Sequence, residues 1–107
     1  MAVIEWTPSA WQTYNDYLEN ARLEFGKKTA LHWEEEMLHI YERLKLYPTS
    51  YTPEALLGTR RILYRSCHLM HRRFKLIYYY DEFEDTVRLV DIWDAKMNPK
   101  TLIKRIM

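Results

Sequence analysis

The order of amphipathic and strand-like segments predicts an α+β domain of topology β-α-α-β-β-β, with a helical hairpin packed on one face of a twisted antiparallel sheet. Three observations carry this expectation. Apolar residues recur at steps of three and four from Trp11 to Tyr47, with Gly26 between the two periodic runs. From Thr59 to Ile92, β-branched and aromatic residues dominate and neither Gly nor Pro interrupts. Within that stretch the acidic cluster Asp81, Glu82, Glu84, Asp85 supplies one reversal between strands.

Taken in order, Val3, Ile4 and Trp6 form a short apolar strand closed by Thr7-Pro8. Thr7 suits an N-cap, and Pro8 suits the first helical position, where its missing N–H has no partner to lose. Trp11, Tyr14, Leu18, Ala21 and Phe25 then share one stripe of a first helix, and Gly26 provides its C-terminal cap. The second helix starts near residues 27–29 and ends before Pro48, with Ala30, Trp33, Met37, Ile40, Leu44 and Tyr47 on its stripe, widened by Leu38 and Tyr41. Two Pro and a Gly mark residues 48–58 as the loop leading to the sheet. Strands follow from near Arg60, over about residues 73–80, and over 86–93. The first of these hairpins reverses either at Ser66-Cys67 or nearer His71-Arg72, and a one-residue slip exchanges the faces of the whole strand. Pro99 opens a short final helix over residues 100–107.

At 107 residues, a single domain spanning 1–107 buries roughly two thirds of the surface of its unfolded chain. Hydrophobic content of 48% with 29% charged residues excludes a disordered or low-complexity chain. Cys67 is the only cysteine, which excludes an internal disulfide. The opening Met-Ala-Val-Ile-Glu-Trp lacks the pattern of a signal peptide, and no apolar run approaches the ~20 residues of a membrane span. A cytoplasmic protein without a membrane association is expected.

Charge is unevenly divided. Residues 1–54 hold 5 Lys/Arg against 9 Asp/Glu, whereas residues 55–107 hold 11 against 6. No Asp or Glu occurs from Ala55 to Tyr80, a window containing Arg60, Arg61, Arg65, Arg72, Arg73 and Lys75. If Arg61, Arg65, Arg73 and Lys75 share a face of the sheet, they make a compact basic patch, flanked by tyrosines and suited to an anionic partner such as nucleic acid. Intramolecular pairing accounts for the same asymmetry.

Other chemistry is thinly represented. Cys67-His68 and His71 have neither CxxC nor HExxH spacing, so no metal and no cofactor is expected, and His32 and His39 read as partners of Glu35, Glu36 and Arg43. No serine stands in a nucleophile elbow, and 2 Gly leave no phosphate-cradling loop. Tyr78-Tyr79-Tyr80 offers either a base-stacking surface or sheet core. Asp91 breaks an apolar run, as an edge residue or a partner of Arg88 would.

The order of these elements resembles the RelE/ParE superfamily of bacterial toxins from type II toxin–antitoxin, or plasmid stabilisation, systems. The likeness is carried by Glu5-Trp6-Thr7-Pro8-Ser9-Ala10, Leu44-Lys45-Leu46-Tyr47-Pro48, Arg73-Phe74-Lys75-Leu76-Ile77-Tyr78 and Val90-Asp91-Ile92-Trp93, and it covers essentially the whole chain. It implies an antitoxin partner and, for the RelE kind, a ribosome-dependent mRNA endoribonuclease that acts on mRNA in the ribosomal A site. In that reading Arg61, Arg65, Arg73, Lys75 and Lys96 bind RNA, and Arg65, Lys75 and Lys96 assist catalysis. Beyond Trp93 there is no Tyr or His, so the family's C-terminal acid or base is missing unless His68 or His71 replaces it. That departure leaves two alternatives: a ParE-like inhibitor of DNA gyrase, or a non-catalytic antitoxin-binding remnant.

Overall fold

The computed structural model describes residues 1–106. Its elements are β1 (Val3–Trp6), α1 (Pro8–Phe25), α2 (Lys27–Leu46), β2 (Arg65–Leu69), β3 (Phe74–Asp81), β4 (Thr86–Asp94) and α3 (Pro99–Arg105), with a 3₁₀ turn at Ala55–Leu57. The β-α-α-β-β-β order and the final helix are present; Met107, assigned to that helix from the sequence, lies outside the described residues.

Local chemistry sets the helix ends. Thr7 Oγ1 accepts from the Ala10 N–H at 3.2 Å, and Pro8 occupies the first turn of α1. Gly26 adopts φ +93°, a region that L side chains rarely enter, and its N–H donates to Arg22 O at 3.0 Å. Space around Gly26 is open, so the backbone angle alone demands glycine there. Of the two stripes, Tyr14, Ala21, Ala30, Trp33, Met37, Ile40 and Leu44 are buried, while Trp11, Phe25, Leu38 and Tyr47 are exposed.

The sheet order is β1-β4-β3-β2. It is antiparallel except that β1 runs parallel to β4, a departure from the fully antiparallel expectation. The cause is topological. α2 ends beside the start of β1, where the Ala2 N–H donates to Lys45 O at 2.9 Å, and three alternating strands from that point leave β4 running with β1.

One further correction and one resolved alternative concern the strand after the long loop. It begins at Arg65, not near Arg60, because Gly58–Leu63 turns away and residues 52–54 pair beside Tyr64 and Ser66 instead, through Glu54 N–H to Tyr64 O (2.9 Å) and Ser66 N–H to Thr52 O (3.2 Å). The β2–β3 reversal lies at the later of the two sites, with Met70, His71 and Arg72 all at positive φ. The resulting register, Cys67↔Leu76 and His68↔Lys75, sends Cys67, Leu69, Leu76 and Tyr78 to the helices. Tyr78 is fully buried and its hydroxyl donates to Pro48 O at 3.0 Å, so it is core and not a base-stacking surface.

The other face of the sheet is also covered. Ile77 and Trp93 pack with Leu57 of the 3₁₀ turn and Leu102 of α3 in a second, smaller core. The helix-side core is the larger, and Leu76 at its centre has no exposed surface. Leu76→Ala is expected to cost about 2–5 kcal/mol of stability, measured by chemical denaturation.

Candidate functional site

Strand alternation and register together build a polar cluster on the outer face. Ser66, His68, Lys75 and Ile77 alternate with the helix-facing residues, and Lys75 lies opposite both His68 on β2 and Trp93 on β4. Lys75 Nζ is 3.0 Å from each carboxylate oxygen of Glu54, and Ser66 Oγ donates to the same carboxylate at 2.7 Å. The Leu56 N–H adds a longer bond at 3.4 Å, which starts the 3₁₀ turn. Lys75 Nζ also sits 5.6 Å from the Trp93 ring centroid.

Glu54 is only 4% exposed, so its charge must be compensated inside the protein. Burial pushes its carboxyl up, but the bonds from Ser66 and Lys75 outweigh this and hold it below the ordinary 4.5. Asp91, the second buried acid of this region, ends differently. Burial raises it despite its bond from Arg105 of α3. Arg88, one expected partner of Asp91, is instead engaged by Glu5, Asp81 and Glu84.

The basic residues singled out from the sequence are not brought into one patch. Lys75 is ion-paired. Arg65 alternates to the opposite face and donates to Tyr51 O at 2.7 Å. Arg73 lies 3.4 Å from Asp94 and over the Phe74 ring at 5.4 Å. Arg61 is exposed on the loop before β2, beside Arg60 and Ile62. Lys96 is exposed in the turn after β4, where its own N–H donates to Asp94 Oδ1 at 2.9 Å. His71 stands on the β2–β3 turn with its ring stacked on His32 at 6.0 Å, and His32 lies 3.8 Å from Glu36. His68 is exposed on the Lys75 side. The shared basic face expected for Arg61, Arg65, Arg73 and Lys75 is therefore absent: the register separates Arg65 from Lys75, and Arg61 belongs to no strand. Among the described residues, no three His, Cys, Asp or Glu side chains converge to hold a metal ion, and no helix is long and apolar enough to cross a membrane.

Glu54 and Ser66 were not anticipated as site residues. Glu54 stands immediately before the acid-free window, and nothing in its own neighbourhood indicates that it folds onto a lysine 21 residues away.

Neither a family model nor a curated protein sequence matches the chain. Solved structures do. A chain of the chromosomal ParDE toxin–antitoxin system from P. aeruginosa superposes with a TM-score of 0.67, covering 90% of this chain and 98% of that one at 12% identity. The chain has the RelE/ParE toxin fold. The isolated E. coli RelE toxin matches over 100% of both chains with a TM-score of 0.62 and 12% identity. A metal-bound toxin from Helicobacter pylori matches with a TM-score of 0.60 and 19% identity, over 89% of this chain and 96% of that one. Within the RelE/ParE fold of this chain, the outer-face lysine is neutralised by an acid from the loop preceding β2.

Removing Lys75, itself part-exposed, strands the buried Glu54 carboxylate. Lys75→Met is expected to destabilise the protein by about 3 kcal/mol, whereas the double variant Glu54→Gln/Lys75→Met costs less than the sum of the single changes. Denaturant unfolding of the four proteins measures that coupling.

Proposed function

We propose that this chain is the toxin of a toxin–antitoxin pair and that it acts by contact with a protein target, DNA gyrase in the manner of ParE, and not by cutting mRNA. The RelE/ParE fold, together with structural neighbours drawn from ParDE and RelE systems, supports the toxin assignment. The observation that favours protein contact is the Glu54–Lys75 pair. A nuclease that stabilises charge developing on phosphate oxygens needs cations preset and unneutralised at the site. Lys75 is committed to Glu54, Arg73 lies against Asp94, and Arg65 faces the other side of the sheet.

Cleavage of mRNA on the ribosome is the competing reading. It would draw on Lys75 and Arg65, with Lys96 contributing from the end of β4 and His71 or His68 as the acid or base. That arrangement requires the Glu54–Lys75 bond to open and residues from both faces and two turns to converge. Removing a true transition-state cation costs ~10²-fold or more in rate.

The partner expected for this toxin is a small acidic antitoxin encoded by the adjacent gene. Expression of the chain should arrest growth, and co-expression of that neighbour should relieve the arrest. Under arrest, purified gyrase should lose supercoiling activity on addition of the toxin, and ribosome-associated mRNA should remain intact. Lys75→Ala should not restore growth beyond what loss of folded protein explains. Cut mRNA, abolished by Lys75→Ala or His71→Ala in a folded protein, would replace this reading with the nuclease.

A further inference from the structure

The β3–β4 turn presents an aromatic side chain to water from a turn that is firmly held. Phe83 is fully exposed, at 103% of its reference surface. Its turn is nevertheless tied at several points. Asp81 Oδ1 accepts from the N–H groups of Phe83 (3.1 Å) and Glu84 (3.3 Å), Tyr80 Oη donates to Asp85 at 2.6 Å, and Arg88 donates to Glu84 at 2.8 Å. Asp85 completes the reversal at φ +48°. None of these bonds uses the Phe83 ring, so the fold gains nothing visible from an aromatic residue at this position.

Across a shallow cleft of about 310 Å³ lie Ile62 and Leu63, which come from the loop before β2 and are 42% and 56% exposed. Tyr79 joins these residues in lining the cleft, and its charged lining consists of Asp81 and Glu82, with no Lys or Arg. Glu84 and Asp85 add two more acids to the same turn. Arg88 pairs with Asp81 and Glu84, and the N-terminal amine lies 4.0 Å from Asp85, so two cations offset four acids and Glu82 keeps no ion-pair partner among the described residues. Three large apolar side chains from two separate segments thus meet beside a turn with an excess of negative charge.

We propose that this cleft is a docking site for a basic segment of a partner protein, one that seats an apolar side chain between Phe83 and Leu63 and places Lys or Arg against Asp81 and Glu82. Apolar anchors buried at the centre with opposite charges at the rim are how compact peptide sites obtain affinity and orientation. The held turn limits the ordering that binding requires. This site lies apart from the Glu54–Lys75 cluster and does not depend on the toxin's mode of action.

The ¹⁵N-labelled full chain can be titrated with the hexapeptide Lys-Lys-Leu-Leu-Lys-Lys and with its acidic counterpart Glu-Glu-Leu-Leu-Glu-Glu. Saturable amide shifts confined to residues 62–63 and 79–84 are expected with the basic peptide only. Phe83→Ala and Glu82→Lys, both changes at exposed positions, should each weaken that binding about tenfold or more. Three results would overturn the proposal: no localised shifts with the basic peptide, equal shifts with the acidic one, or shifts at these residues that track protein concentration without peptide, which would make a second copy the occupant.

Discussion

A buried carboxylate ties the end of the long loop to the outer face of the sheet, beyond the backbone bonds that residues 48–54 already make to β2 and β3. Glu54 accepts from Ser66 on β2, from Lys75 on β3 and from the backbone of the 3₁₀ turn that follows it. These bonds place Leu57 over Ile77 and Trp93, which begins the second core. They also decide the electrostatics of the outer face, because the one lysine at its centre is matched by one acid. An ion pair of this kind adds little net stability compared with an apolar pair of the same shape. Its effect is to fix how the loop lies and to remove a free cation from the sheet.

The outer face is closed by the C-terminal helix. Leu102, Ile103 and Ile106 of the α3 region pack toward Trp93 and Val90. Two basic residues hold this layer: Arg105 reaches the buried Asp91, and Arg60 donates to Ile103 O at 2.8 Å. Asp91 lies next to a register shift, where Ile77 pairs with Asp91 and Tyr78 with Leu89, leaving Val90 as the extra residue. Basic residues of the C-terminal half are thus spent partly on internal pairing, the second of the two explanations that its charge allowed.

Helices were legible because their signals are local. Thr7-Pro8 and Gly26 mark ends that coincide with the observed ones, and Ala30, Trp33, Met37, Ile40 and Leu44 of the second stripe are buried. Burial failed at Trp11, Phe25 and Tyr47, which lie near the ends of the hairpin, and at Leu38, on the widened edge of the second stripe; all four remain exposed. The strands and the β2–β3 and β3–β4 hairpins were legible, but the place of β1 and the start of β2 were not. Nothing local required β1 to lie parallel to β4, nor the chain before Arg65 to leave the sheet. Register depended on a turn formed by Met70, His71 and Arg72 at positive φ, for which these residue types give no sequence signal. Since register decides which side chains share a face, the candidate site inherited that uncertainty, and the grouping of Arg65 with Lys75 fell with it.

The account rests on Glu54 being a charged, paired carboxylate in the folded protein. Its pairing contributes stability that is present above the ordinary carboxyl range and is lost as pH falls through the lowered folded value. The direct measurement is the pH titration of the Glu54 side-chain carboxyl ¹³C shift in the folded chain. A midpoint below 4.5 is the result predicted, since Ser66 and Lys75 outweigh burial. A midpoint at or above 4.5 would show that burial outweighs the bonds from Ser66 and Lys75, as it does at Asp91, and would contradict the account of Glu54 as a carboxylate held charged by its partners.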